Sequence, residues 1–190
     1  MKLNSLKKLS FTILVHDIGA VLDVKQNVED LKMDFDIIQV NQKHKEVLEN
    51  LMQFYIYDFS EFLQFDVEED GQYSPYPLEE YFQEGNQRFA YIIKKEEKYV
   101  GFVLVHFIDS AELRYYSIAE FFILKKYRRE GIGRSVAAHI FNMHKGLWQV
   151  HQIESNRPAE IFWNSVINEY TKGQFEERIE NGKRIQTFTS

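Results

Sequence analysis

The sequence contains no cysteine. Disulfides, thiolate zinc sites and a thiol nucleophile are therefore excluded, and the absence fits a reducing compartment. Proline is scarce, at three residues, and nine glycines in 190 residues are too few for a fibrous or disordered chain. No apolar run is long enough to span a bilayer. Basic residues are outnumbered, 23 Lys and Arg against 29 Asp and Glu, for a net charge of −6. Nucleic-acid binding needs a basic face for phosphates, so nucleic acid is not an expected partner, and neither is a membrane. The six histidines are scattered, His139 and His144 stand five apart, off any shared helical face, and no HExxH pattern occurs, so no metal site is expected. The acidic run Asp66 to Asp70 lacks an EF-hand pattern and reads as a solvated loop, able to attract a cationic substrate.

What is present reads as one domain with an appendage. Residues 1–33 form an N-terminal extension. Lys2, Lys7 and Lys8 precede the apolar run Leu9 to Val15, but His16 and Asp17 interrupt it and no small-residue cleavage pattern follows. The run is expected to be folded chain of a cytoplasmic protein, with Phe11, Ile13 and Val15 alternating as a short strand.

From residue 34 the apolar pattern alternates between two periods. Asp34 to Val40 reads as a strand, and Asn41 as the cap of a helix carrying Val47, Leu48, Leu51, Met52, Tyr55 and Ile56. The aromatic stretch Phe54 to Phe65 reads mainly as core, and residues 66–77 as a loop before a short helix at Leu78 to Gln83. Strands are expected at Arg88 to Lys94, Tyr99 to Ile108 and Tyr115 to Leu124, the first two as a hairpin about Glu96. Gly131 to His144 switches to helical spacing and stops at Gly146. Leu147 to Ile153 is a strand, Pro158 opens a helix running to Tyr170, and Asn181-Gly182 joins two final strands. The order predicts an α+β chain with a mixed sheet.

The chemistry lies between the strand ending at Leu124 and the helix opening at Gly131, in the run Lys125-Lys126-Tyr127-Arg128-Arg129-Glu130-Gly131-Ile132-Gly133-Arg134-Ser135. A helix N-terminus offers unpaired N–H groups and partial positive charge. Gly131 and Gly133 put no side chain in an anion's way, and Arg128, Arg129 and Arg134 add charge, which together make a pyrophosphate cradle. The run is not a Walker A loop, having no Gly-Lys-Ser/Thr ending. It is not a Rossmann fingerprint either, since no strand with a ribose-binding acid follows about 20 residues on.

Arg128-x-x-Gly131-x-Gly133 resembles the Arg/Gln-x-x-Gly-x-Gly/Ala signature of the GCN5-related N-acetyltransferases (GNAT), and the element order is similar from residue 34 to 190. Gly146-Leu147-Trp148 and Asn156-x-x-Ala159-x-x-Phe162-Trp163 resemble a bacterial branch of that family. The resemblance implies a mixed, mostly antiparallel sheet flanked by helices, with an acyl-CoA cleft between the fourth and fifth strands. It implies acetyl-CoA as cosubstrate, with no metal. Backbone at Phe121 and Ile123 would pair with the pantetheine arm, and the N–H groups from Arg129 through Glu130, Gly131, Ile132, Gly133 and Arg134 to Ser135 would hold the pyrophosphate. Asn156 would touch the CoA arm, and Phe162 and Trp163 would wall the thioester end.

The implied reaction is acetyl transfer to a primary amine on a small molecule or peptide. Family members are often dimers, and residues 1–33 are a candidate for that contact. Attack requires a neutral amine, hence a base. Glu120 is the candidate, because a carboxylate is out of place in the apolar strand Ile118 to Leu124, where burial raises its pKa. The alternative is a strand-edge glutamate paired with an arginine or lysine. Tyr115 and Tyr116 are lesser candidates for a substrate pocket. Trp163 stands where many members carry a tyrosine acid, and tryptophan cannot serve. Water or Tyr170 would then protonate the leaving thiolate. That departure also fits a non-catalytic acyl-CoA-binding sensor. A phosphate-binding module of another fold is the third reading, disfavoured by the Asn156 element.

Overall fold

A computed structural model of the chain describes residues 34–83, 85 and 87–190. The expected N-terminal extension, with its short strand, lies outside the described residues. No helix among the described residues is long and apolar enough to cross a membrane.

Seven strands form one sheet: β1 (Asp36–Gln39), β2 (Arg88–Lys95), β3 (Lys98–Asp109), β4 (Arg114–Ile123), β5 (Leu147–Ile153), β6 (Glu176–Glu180) and β7 (Lys183–Thr189), in the order β1-β2-β3-β4-β5-β7-β6. Only β4 and β5 run parallel. Their connection passes through helix α2 (Ile132–Met143), as a parallel pair requires. Helix α1 (Lys45–Leu63) covers one face of the sheet, while α2 and α3 (Arg157–Thr171) cover the other. Strand β3 shows why both faces need cover. Val103 and Val105 point to α2 and α3, Phe102 and Leu104 point to α1, and all four are fully buried.

The expected helix after Asn41 begins later than its cap suggests. Asn41 caps a 3-10 turn at Gln42–His44, its Oδ1 accepting the Lys43 N–H at 3.0 Å, and α1 follows at Lys45. The segment expected as a helix at Leu78 to Gln83 is a 3-10 turn at Glu79–Phe82.

Two two-residue hairpins hold left-handed backbone. Asn181 and Gly182 (φ 51° and 71°) suit that conformation, whereas Glu96 and Glu97 (φ 48° and 60°) do not. Each left-handed glutamate costs roughly 1 kcal/mol. The double substitution Glu96→Asn with Glu97→Gly is expected to stabilise the protein by about 1 kcal/mol, read as a higher urea midpoint at unchanged slope. An unchanged midpoint would show that the turn carries no such strain.

One irregularity places the site. Leu104 of β3 pairs with Glu120, but Val105 pairs with Ile118, so Ala119 is an extra residue in β4. The bulge resets the alternation. Ile118 and Phe121 pack toward α2 and α3, whereas Glu120 and Phe122 point toward α1. Without it Glu120 would share a face with Ile118, inside the apolar core.

Candidate functional site

The β4–β5 ladder has three pairs, Tyr116 with Trp148, Ser117 with Gln149 and Ile118 with Val150. It stops where the bulge begins. β4 continues to Ile123 and β5 to Ile153 without pairing, so the sheet opens. The Phe122 carbonyl faces Gly101 of β3, and the Leu124 N–H donates to the Val100 carbonyl at 2.8 Å. By alternation the backbone groups of Phe121 and Ile123 face the opening. One is already used, since the Ile123 carbonyl accepts from Arg128 Nε at 2.6 Å.

At the mouth of the opening the chain makes a 3-10 turn at Lys125–Tyr127 and then bends through left-handed Arg129 (φ 67°) and Gly131 (φ 81°) into α2. Among the described residues, the N–H groups from Arg129 to Arg134 make no hydrogen bond, and the first turn of α2 carries no acidic residue. Such a run of free donors at a helix N-terminus suits an anion. Gly131 is required by its backbone conformation, whereas a Cβ at Gly133 would sit 3.3 Å from the Phe162 ring. The donor set fits a pyrophosphate, with one correction. The Ser135 N–H donates to the Gly131 carbonyl at 3.1 Å, because it is the first N–H with an intrahelical partner. Ser135 therefore leaves the expected set.

The arginines divide. Arg128 ties the Ile123 carbonyl to the Asp58 carboxylate of α1, with its guanidinium 5.6 Å from the Phe122 ring centre. Arg134 bonds the Glu169 carboxylate and, at 3.3 Å, the Ser165 hydroxyl of α3. Glu130 pairs with Lys95 at 3.7 Å. Exposed Arg129 has no ion pair among the described residues. Arg128 thus shapes the loop rather than presenting charge. Arg128→Ala is expected to lower the thermal midpoint by roughly 3–6 °C, from about 1–2 kcal/mol. Arg128→Lys should not restore it, since an ammonium cannot make the same two-ended bridge. A lysine variant as stable as the parent would contradict this role.

The Glu120 side chain is half-buried on the α1 side of the sheet. Tyr55 of α1 donates to one carboxylate oxygen, and Tyr76 donates to the other at 3.0 Å. Burial raises the Glu120 pKa above its ordinary value, and the two tyrosine bonds oppose that rise. Both tyrosine hydroxyls are pushed upward, first by burial and then by the Glu120 charge, so they remain neutral donors. The Tyr55 ring lies against Phe59, Phe102 and Phe122 at 5.4, 5.9 and 6.0 Å. Tyr76 sits between Pro75 and Pro77 in a loop that Gln53 of α1 pins, donating to the Tyr73 carbonyl at 3.1 Å and accepting its N–H at 2.8 Å. The partner foreseen for a structural Glu120 was Arg or Lys. The structure supplies two tyrosines instead.

On α3, Asn156 caps the helix, its Oδ1 accepting the Ala159 N–H at 3.1 Å. Phe162 packs tilted against Phe121 at 5.5 Å and meets Trp163 edge-to-face at 4.9 Å. Trp163 is 6% exposed and belongs to the core. Tyr170 is not brought to the opening. Its hydroxyl donates to Asn142 Oδ1 at 3.0 Å near the end of α2, and its ring meets Phe141 and Phe188. Phe188 pairs with Trp148 at the closed end of the β4–β5 ladder, whereas Glu120 lies past the open end. Tyr170 therefore joins α3 to α2 and does not fit the expected acid. Tyr116 packs on Phe107, His144 and Trp148 in the core. No cluster of potential metal ligands occurs among the described residues.

The sheet thus opens between β4 and β5, with the N-terminus of α2 at the mouth of the opening. Residues 49–165 match the sequence model of the acetyltransferase (GNAT) family, and the chain belongs to that family. Its fold is similar to an acetyltransferase from Thermus thermophilus, at 14% identity and a TM-score of 0.60 over 82% of this chain and 97% of that one. It is similar to a GNAT-family acetyltransferase from Staphylococcus aureus, at 14% identity and a TM-score of 0.56 over 82% and 98%. An aminoglycoside N(6')-acetyltransferase from Legionella pneumophila shares 15% identity and a TM-score of 0.54 over 84% and 94%. No curated protein matches the sequence.

Proposed function

We propose that the protein is an N-acetyltransferase that moves the acetyl group of acetyl-CoA to a primary amine, working in the cytoplasm through a catalytic domain of residues 34–190. The observation that carries this reading is the Glu120 carboxylate, held by Tyr55 and Tyr76 on the strand that borders the opening. Acetyl-CoA would supply the acetyl group as a thioester. The N–H groups from Arg129 to Arg134 would bind its pyrophosphate, with Arg129 adding charge. Phe121 and the Ile123 N–H would hold the pantetheine arm as an added strand, and Phe162 would wall it. The Asn156 amide nitrogen, with no partner among the described residues, would donate to it. Glu120 takes the amine's proton, and holding both reactants together supplies several kcal/mol of the barrier reduction. With Trp163 unable to donate to sulfur and Tyr170 elsewhere, the leaving thiolate takes its proton from water.

That missing acid is also what favours the second reading, an acyl-CoA-binding sensor. The test is thiol release from acetyl-CoA with polyamines, amino acids and aminoglycosides, the last suggested by the Legionella relative. Amine-dependent release supports the transferase. Binding of acetyl-CoA without release on any amine supports the sensor.

A further inference from the structure

We propose that Gln53 is a positioning residue for Glu120, acting through the loop that carries Tyr76. It rests on Glu120 as the base in the function proposed above. The Gln53 carboxamide offers a donor and an acceptor, as a peptide bond does, and spends both on one residue of the loop. Its Nε2 donates to the Tyr73 carbonyl at 3.1 Å, and its Oε1 accepts the Tyr73 N–H at 2.8 Å. The loop's own bonds shape it without tying it to the sheet. The Glu68 N–H donates to the Gln72 carbonyl at 2.7 Å, the Gly71 N–H to the Glu68 carbonyl at 2.9 Å, and the Ser74 hydroxyl to the Glu68 carboxylate. The Tyr76 ring also packs on the core beneath α1, a non-directional contact that does not by itself aim the hydroxyl.

The chain between this clamp and Tyr76 has little slack. Pro75 has a fixed φ, and Ser74 and Tyr76 each precede a proline, which keeps both away from the helical region. Tyr73 held on α1 thus carries the Tyr76 hydroxyl to one Glu120 oxygen at 3.0 Å, while Tyr55 serves the other from α1 itself. Tyr81 of the turn at Glu79–Phe82 faces His106 instead, its Oη 2.5 Å from Nε2. No charged side chain pairs with Glu120 among the described residues, so the two tyrosine bonds are what favour its charged form against burial. Releasing Tyr73 loosens one of the two, and Glu120 then holds its proton to higher pH.

The test reads Glu120 without acetyl-CoA or acceptor. Its protonated-carboxyl infrared band, assigned by its loss in Glu120→Gln, is titrated in the full chain. Gln53→Met keeps the length of the side chain and removes both bonds. Its midpoint is expected above the parent's. In turnover, kcat at a pH on the rising limb should fall about threefold to tenfold, part of one hydrogen bond to a charged group, with the KM for acetyl-CoA unchanged. Pro75→Gly, at an exposed position, leaves Gln53 intact but slackens the link, and should move the midpoint the same way. On a Tyr76→Phe background Gln53→Met should add nothing, whereas on Tyr55→Phe it should add its full shift. A general loss of stability would not separate the two backgrounds. A parent-like midpoint in folded Gln53→Met, or an undiminished shift on the Tyr76→Phe background, overturns the proposal. If Gln53→Met does not fold, Pro75→Gly decides. Loss of the base reading is a separate result, seen as acetyl transfer that survives Glu120→Gln.

Discussion

Glu120→Gln is expected to lower kcat for acetyl transfer by about 10²–10⁴-fold while leaving acetyl-CoA binding intact, since the amide cannot take a proton. Stability should not fall with it. The Glu120 pKa is raised in the folded state, so the unfolded chain holds fewer protons over the interval above pH 4.5. The stability contributed by the protonated group is present below pH 4.5 and lost as pH rises through the folded pKa. Above the folded pKa glutamine removes a desolvated charge, so there the variant should be at least as stable as the parent. The parent's rate should rise with pH through the Glu120 pKa, because the carboxylate is the active form. Tyr55→Phe removes a bond that favours the charged form and should move that limb to higher pH. A kcat unchanged in Glu120→Gln would remove Glu120 from the chemistry.

Gly101→Ala is expected to be the most damaging small substitution. A Cβ there would lie 1.9 Å from the Phe122 carbonyl oxygen, 2.9 Å from its carbon and 3.0 Å from Ile123 Cα. All three atoms are backbone, so no rotamer change relieves the contact and β3 must part from β4. A loss above about 4 kcal/mol is expected, enough to leave a large unfolded fraction. Gly133→Ala is the control. Its nearest contact is the Phe162 ring edge at 3.3 Å, which can shift, so the expected cost is about 1 kcal/mol. Urea unfolding compares the two. Equal, small losses would show that β3 and β4 have slack beside the opening.

Where local chemistry decides structure, the sequence was readable. β5 falls at Leu147–Ile153 as its pattern indicates, Pro158 lies in the first turn of α3, and Asn181-Gly182 turns the last hairpin. The glycine turn and the helix start after it were legible for the same reason, since both are local. What was not legible depends on contacts distant in sequence. Tyr55 looked like one more core ring at helical spacing, and nothing in the loop marked Tyr76. Both acquire their role from the Ala119 bulge, a mismatch in pairing between β3 and β4 that no composition reveals. The arginines were legible as charge but not as partners, because Asp58 and Glu169 lie 70 and 35 residues from Arg128 and Arg134. Tyr170 failed as an acid because α3 carries it toward the closed end of the ladder.

The most direct measurement is acetyl-CoA binding by calorimetry to the native chain, to Gly131→Glu and to Gly131→Ala. The alanine carries the backbone strain at φ 81° without the charge and so separates the two effects. Binding in roughly the micromolar range by the native chain, weakened modestly by alanine and a hundredfold or more by glutamate, is the expected result. No binding by the folded native chain, or equal binding by native and glutamate proteins, would contradict a pyrophosphate cradle at the start of α2.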